Sequence, residues 1–278
     1  MNGYRKPNKN RLLTAFEHKI PDRVPNFEVL VDNPTFSHVM GRRVEGHTLS
    51  NIDPYVYIEF VSKIGQDAIG LSFYDKPFRY VDDNGNIRLL DFKISSRRDF
   101  ERLLPPNLDH MAGSFDLLRR YQEAVKGTDI GLFVLTGSFF CDTYDSIVGF
   151  ENFMYLLYDE PDLIDEILEI QSRYYAEMTA RLMEYNLDFL YIGDDIAYKT
   201  GTLINPSLLR KLWKERMDRI MRPAREKGIP IMFHSDGNII DMIPDIIDLG
   251  VCALNPIEPY GMDIVEVKKR FGRNLTLV

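Results

Sequence analysis

The sequence is poor in cysteine. Cys141 and Cys252 are the only two cysteines among 278 residues, and they lie far apart in the chain. This excludes a disulfide framework and a cysteine-based zinc knuckle. Neither cysteine has a histidine close by in sequence, which argues against a thiol nucleophile.

An excess of basic residues is also lacking. The chain has 34 Lys and Arg against 42 Asp and Glu, a net charge of -8 and a pI near 5.2. A protein that binds the phosphate backbone of nucleic acids broadly needs a basic face. The composition therefore argues against a nucleic-acid partner.

Long apolar runs and several well-known catalytic motifs are missing. No run of about 18 apolar residues occurs, and the polar, basic stretch 1–10 is not followed by an apolar segment of the kind found in signal peptides. Walker A, G-x-S-x-G and H-E-x-x-H sequences are absent as well. We therefore expect a cytoplasmic protein that neither spans nor binds a membrane.

What the chain does have is a β/α rhythm with continuous apolar strands, as in parallel sheets covered on both faces. The pattern predicts about seven strands, at 27–30, 66–71, 130–136, 188–192, 230–233, 251–254 and 275–278. We predict an α/β fold, a TIM (β/α)8-type barrel forming one domain over 1–278. Its rival, a doubly wound open sheet, lacks the glycine-rich loop expected after the first strand.

Two further features qualify this architecture. The Asn84-Gly85 step between short apolar runs predicts a β-hairpin excursion at 78–92, with its tip at 82–86. The chain also stops inside an apolar strand, whose exposed edge would be an aggregation hazard. We therefore expect that the natural protein has a C-terminal segment beyond Val278.

In a barrel the functional side chains follow the carboxyl ends of the strands. His234 and Asp236 leave one such strand, and Glu258 follows the next. One nitrogen and two carboxylates suit zinc or another divalent ion with an open position, so these three are the predicted metal ligands. In the alternative, His234 is a hydrogen-bonding residue and Asp236 caps a helix beginning at Ile239.

An acidic pair follows another strand. Asp194 and Asp195 are adjacent, and two close carboxylates can retain a proton at neutral pH. With Tyr198, they are the predicted catalytic residues; two solvated turn carboxylates are the alternative. The predicted substrate-binding residues are Glu28, Lys199 and Asn255. The remaining histidines, His18, His38, His47 and His110, are predicted to be structural.

Several segments together resemble the uroporphyrinogen decarboxylase-like family, especially its branch of corrinoid-dependent methyltransferases. They are residues 11–25 (RLLTAFEHKIPDRVP), 194–206 (DDIAYKTGTLINP), 234–238 (HSDGN), 250–259 (GVCALNPIEP) and 261–263 (GMD). The resemblance covers essentially the whole chain. It implies a TIM barrel that continues beyond the strand predicted at 275–278.

The departures from the family pattern separate its two activities. Porphyrinogen decarboxylases carry an arginine-containing loop for the substrate carboxylates, whereas residues 26–33 in this chain are acidic and lack arginine. The methyltransferase branch binds zinc through a His-x-Cys pair and a later cysteine, and this chain has Asp236 at the first cysteine position. Such an oxygen-rich site favours oxygen-bearing substrates over thiols.

The resemblance thus implies an enzyme that moves a methyl group between a small molecule and a corrinoid carried on a partner protein, with zinc or another divalent metal. Two alternatives stay open. One is a decarboxylase of a carboxylated substrate, with uroporphyrinogen itself disfavoured. The other is a barrel that binds a corrinoid protein or a small ligand without turnover.

Overall fold

A computed structural model describes residues 6–74, 77–82 and 84–278. The helices in these ranges are α1 Asn10–Phe16, α2 Asn33–Met40, α3 Pro54–Ile64, α4 Arg97–Phe100, α5 Ala112–Val125, α6 Phe139–Asp142, α7 Phe150–Asp159, α8 Pro161–Leu182, α9 Pro206–Glu226, α10 Ile243–Asp248 and α11 Ile264–Phe271. A 3-10 turn at Asp109–Met111 and a π-helix at Thr143–Ile147 complete the helical segments.

The strands in the same ranges are β1 Ala68–Phe73, β2 Arg79–Val81, β3 Ile87–Leu89, β4 Leu103–Leu104, β5 Gly131–Thr136, β6 Phe189–Gly193, β7 Ala197–Tyr198, β8 Gly201–Thr202, β9 Ile231–His234, β10 Ala253–Asn255 and β11 Thr276–Leu277. Six of these described strands form one sheet in the order β1-β5-β6-β9-β10-β11. Every pairing within it is parallel. The predicted α/β class is confirmed, and the strands follow one another across the sheet in chain order, as in a barrel wall.

The two faces of this sheet are both apolar. Residues such as Leu190 and Ile192 pack with the surrounding helices, including Trp213 of α9. Phe133 and Phe189 point to the other face and stack with ring centroids 4.9 Å apart. Burial on both faces explains why the strands are continuous apolar runs rather than alternating ones.

Helix α1 and the segment after it cover the amino-terminal end of that second face. Phe16 contacts the ring of Phe189 edge-on at 5.2 Å. The backbone N–H of Lys9 donates to the carbonyl of Asp129, just before β5. The carboxyl ends of the strands, which we call the mouth, are the ends away from this N-terminal cover.

The predicted first strand, 27–30, is wrong, because these residues belong to no strand. Asn26 instead exchanges two hydrogen bonds with Asp67: its N–H donates to Oδ2 at 2.9 Å, and its carbonyl accepts from the Asp67 N–H at 2.6 Å. Phe27 packs against Phe133 and Phe189, with 5.4 Å between centroids in each pair. The apolar residues that resemble a strand are therefore a cover for the sheet.

The hairpin excursion is confirmed. β2 and β3 pair antiparallel, from Arg79 opposite Leu89 to Val81 opposite Ile87. At the tip, the Asp82 carboxylate accepts from the N–H groups of Asn84 and Asn86; Asp83, within the predicted tip, lies outside the described residues.

In the part of the chain that the structure describes, we find no helix with the length and apolar character needed to cross a membrane.

A candidate metal centre at the strand ends

The register of the central strands brings three polar side chains to one face of the sheet. His234 on β9 is paired with Gly193 of β6 on one side and with Asn255 of β10 on the other. Residues paired across neighbouring strands project to the same face. Tyr191, two residues before Gly193, projects to that face too and contacts the His234 ring at 6.1 Å between centroids.

Three groups at the mouth converge closely enough to hold one ion. Asp195, His234 and Asp236 each offer a ligand atom, and these atoms lie within 4.8 Å of one another. His234 Nε2 is 3.6 Å from Asp195 Oδ1 and 3.7 Å from Asp236 Oδ1. Tetrahedral zinc with bonds of about 2.1 Å places neighbouring ligands about 3.4 Å apart. We call these three residues the carboxylate–histidine cluster; the spacing of its donor atoms fits a divalent ion.

The hydrogen bonds of His234 orient its free nitrogen. Nδ1 lies 3.1 Å from Asn255 Oδ1, and the hydroxyl of Tyr191 donates to the same oxygen. With Asn255 Oδ1 as acceptor, Nδ1 carries the proton and Nε2 presents a lone pair to the two carboxylates. Three electron-rich atoms at this separation repel one another unless a cation lies between them.

Backbone hydrogen bonds hold the two loops of the cluster together. The N–H of Asp236 donates to Asp195 Oδ1 at 2.8 Å. The N–H of Ile196 donates to Oγ of the buried Ser235 at 3.1 Å. These two hydrogen bonds hold the Asp195 carboxylate and its loop in position without an ion. A binding site needs this kind of preorganisation.

Glu258, a predicted metal ligand, is not a member of this cluster. Its Oε2 accepts a hydrogen bond from the N–H of Gly237 at 2.6 Å, so it supports the loop that carries Asp236. The alternative role of Asp236 as a helix cap is wrong, because the next helix begins only at Ile243 and Met242 precedes it.

The two acidic neighbours after β6 face opposite ways. Asp194 is fully buried, and its carboxylate accepts from the backbone N–H of Cys141 and from Trp213 Nε1, both at 2.8 Å. Burial raises the pKa of this carboxyl well above its usual value. Its side chain therefore belongs to the packing behind the sheet, while Asp195 faces the mouth.

The other predicted site residues lie outside the cluster. Tyr198 is 59% exposed, and the Lys199 ammonium lies 5.5 Å from its ring centroid. Glu28 is exposed, and no hydrogen bond or ion pair joins it to the cluster among the described residues. Asn255, predicted to bind substrate, contacts the His234 ring through its Oδ1.

Two tyrosines of the site were not anticipated. Tyr191 could have been found from strand alternation, because it lies two residues before the end of β6. Tyr74, directly after β1, places its hydroxyl 3.4 Å from Ser138 Oγ. A Cβ at Gly193 would lie 3.0 Å from this hydroxyl, so a glycine at this position lets the Tyr74 phenol approach the strand that precedes Asp195.

Replacing Asn255 with leucine should weaken binding of zinc by about 10- to 100-fold, because a partner that orients a ligating histidine contributes on that scale. The measurement is a zinc titration by isothermal calorimetry. An unchanged affinity would show that Asn255 does not orient the ligand nitrogen. Asn186→Leu is a control, since Asn186 is exposed and belongs to the turn before β6.

Comparison with known proteins agrees with this architecture, a parallel β/α fold with its polar cluster at the carboxyl ends of the strands. The family described as uroporphyrinogen decarboxylase (URO-D) matches residues 77–278. Since this match spans well over half of the chain, the chain belongs to the uroporphyrinogen decarboxylase family, as its sequence predicted.

A solved structure shares the fold. A methyltransferase from Methanosarcina mazei superposes with a TM-score of 0.67 at 18% identity, covering 98% of this chain and 82% of that one. A sequence search of curated proteins finds no match.

Proposed function

We propose that the protein is a methyltransferase that moves a methyl group between an oxygen atom of a small molecule and a corrinoid held by a partner protein. The observation that carries the proposal is the convergence of Asp195, His234 and Asp236 at the mouth. Family membership and the fold shared with a methyltransferase support it.

The donor set indicates which ion and which substrate atom would fit. Zinc, or another divalent ion, would be held by one imidazole nitrogen and two carboxylate oxygens. Bound there, it would supply Lewis acidity to a substrate oxygen. With two carboxylates and no thiolate, this is a hard site, which favours oxygen over sulfur as the substrate atom.

The chain's own groups hold the site in place around that atom. Asn255 and Tyr191 fix the histidine ring, and the N–H of Asp236 fixes the carboxylate of Asp195. The Tyr74 phenol is protonated at pH 7, since the pKa of a tyrosine is near 10 and desolvation raises the pKa of this one further. Its hydroxyl donates to Ser138 Oγ and lies next to Gly193, the residue paired with His234.

The proposed transfer exchanges one carbon–oxygen bond for one carbon–cobalt bond. In the direction towards the corrinoid, cob(I)alamin on the partner protein would supply the electron pair of the new carbon–cobalt bond. The electron pair of the broken carbon–oxygen bond would stay on the oxygen, which would take up a proton from solvent. The protein's part is to position the oxygen and to lower its basicity, which makes it a better leaving group.

Decarboxylation is the alternative reaction. The acidic side chains of Asp195, Asp236 and Glu258 around the mouth repel a substrate with many carboxylates. Residues 26–33 add no arginine to offset them. We therefore favour methyl transfer.

The test uses purified protein loaded with zinc, reduced cob(I)alamin and a methoxy compound such as 2-methoxyphenol. We expect the cob(I)alamin absorbance to convert to that of methylcobalamin, and we expect chelation to stop the reaction and added zinc to restore it. The same rate after chelation would contradict a role for the metal. Release of carbon dioxide from a carboxylated substrate, with no methylation of cobalamin, would contradict the methyltransferase assignment.

A further inference from the structure

Two glycines at the strand ends leave room for tyrosine rings. A Cβ at Gly193 would lie 3.0 Å from the Tyr74 hydroxyl and 3.8 Å from Cδ2 of His234. The phenol therefore occupies the space beside the imidazole. A Cβ at Gly137, directly after β5, would overlap the ring of Tyr175. Glycine at each position permits a close approach that any other residue would prevent.

The hydroxyls of these two tyrosines belong to one chain of hydrogen bonds. The Tyr74 hydroxyl donates to Ser138 Oγ, and Ser138 Oγ donates to Asp142 Oδ1, each at 3.4 Å. Tyr175 donates to Asp142 Oδ2 at 2.6 Å and so orients the carboxylate. The two longer contacts are of the kind that tightens when a substrate binds. We call Tyr74, Ser138 and Asp142 the hydroxyl relay.

The two ends of the relay have different surroundings. Ser138 in the middle is only 3% exposed, and Tyr175 is fully buried. Asp142 is partly exposed and lines a cavity of about 460 Å³ between the β2–β3 hairpin and the helices that follow β5. Solvent therefore reaches the carboxylate end, while the Tyr74 hydroxyl lies beside the carboxylate–histidine cluster.

We propose that the hydroxyl relay carries a proton between solvent and the substrate oxygen at the carboxylate–histidine cluster, with the Tyr74 hydroxyl in contact with that oxygen. The inference rests on the methyl transfer proposed above. When the carbon–oxygen bond breaks, its electron pair stays on the oxygen, and the Tyr74 proton moves to it. Ser138 replaces the proton of Tyr74, and solvent replaces that of Ser138 through the Asp142 carboxylate. In the opposite direction, the same steps remove the proton of an acceptor hydroxyl.

The need for this proton depends on the leaving oxygen. An alkoxide is a strong base and leaves readily only when it is protonated. A phenoxide that carries an electron-withdrawing cyano group is a much weaker base and can leave as the anion. Loss of the relay should therefore slow an alkyl ether far more than a cyanophenyl ether, a difference that a purely structural role would not produce.

The first test measures methyl transfer to cob(I)alamin from 2-methoxyethanol and from 4-methoxybenzonitrile. Tyr74→Phe should lower kcat about 100-fold with the alkyl ether and at most about threefold with the aryl ether, since a general acid contributes about 100-fold or more. Asp142→Asn retains an acceptor for Tyr175 but cannot pass on a proton, so it should show the same pattern. Tyr158→Phe is the matched control, because Tyr158 is 79% exposed on α7, and it should change neither rate. Equal slowing of both ethers by Tyr74→Phe, or of neither, would overturn the proposal.

A binding measurement separates the relay from methyl transfer. Phenol is titrated calorimetrically into the zinc-loaded protein, because it offers an oxygen without a methyl group. Tyr74→Phe should weaken phenol binding about tenfold, as expected for one lost hydrogen bond, and should leave zinc affinity unchanged. If the wild type transfers no methyl group from either ether, the proposed function fails, and the phenol titration still decides whether Tyr74 contacts an oxygen at the cluster. Equal phenol affinity in wild type and Tyr74→Phe, or no phenol binding by the wild type at millimolar concentration, would overturn that contact and the relay.

Discussion

Replacing Asp194 with alanine is expected to destabilise the protein by about 3 kcal/mol or more. The substitution removes one acceptor from the Cys141 N–H and another from Trp213 Nε1. Each buried donor left without a partner costs about 1–3 kcal/mol. The measurement is urea unfolding followed by tryptophan fluorescence, for which Trp213, the only tryptophan, is a local probe.

Asp159→Ala is the control for this prediction, because Asp159 is exposed at the end of α7 and surface substitutions change stability by about 0.5 kcal/mol or less. If Asp194→Ala keeps wild-type stability but loses methyl transfer, Asp194 acts in catalysis, as its position after β6 first predicted.

The second large effect is expected at His234. His234→Ala removes the nitrogen ligand and should weaken zinc binding by about 1000-fold, beyond the 10- to 100-fold that residues supporting a ligand contribute. The physical reason is that only two carboxylates would then hold the ion, so water would fill most of its coordination shell. One of the two, Asp236, has a side chain that is 56% exposed. Zinc affinity measured by competition with a chromophoric chelator tests this.

The matched control is His38→Ala. His38 lies on α2. Among the described residues it is not a member of the carboxylate–histidine cluster, so its removal should leave zinc affinity unchanged. Equal zinc affinity of wild type and His234→Ala would show that the imidazole does not bind the ion. His234 would then be a hydrogen-bonding residue of the mouth.

The parallel sheet was predictable because burial on both faces leaves a strong signal in each strand. Runs such as 130–136 and 188–192 are apolar at almost every position, and both are strands in the structure. Segment 27–30 has the same local appearance but was assigned wrongly. The conformation of this segment depends on Asp67, about 40 positions away, which forms hydrogen bonds with the backbone of Asn26 in place of a neighbouring strand.

The site was predictable only in part, because strand ends can be located from sequence but side-chain directions after them cannot. The structure brings the side chains of His234 and Asp236 close together, and their order after one strand end was the signal in the sequence. Asp194 and Asp195 look like a pair in the sequence, yet adjacent residues in extended chain point to opposite faces. One is buried against Trp213, and the other lies at the mouth.

Glu258 illustrates the same limit from the other side. It lies three residues past the end of β10, where the distance between neighbouring strands no longer fixes the position of a side chain. Its carboxylate lies against the N–H of Gly237. The conformation of the loop between Asn255 and Glu258 cannot be read from sequence periodicity. In the structure this loop turns Glu258 towards Gly237, and Asp195 is the carboxylate beside the histidine.

The most direct test of the account is therefore a cobalt(II) titration of three proteins, the wild type, Asp195→Asn and Glu258→Gln, followed by visible absorption. Cobalt(II) takes the place of zinc and absorbs strongly when its ligands are tetrahedral. We predict that the wild type binds one equivalent of cobalt(II), that Glu258→Gln binds it with nearly unchanged affinity, and that Asp195→Asn loses at least 100-fold in affinity. Full binding by Asp195→Asn together with loss in Glu258→Gln would contradict this prediction.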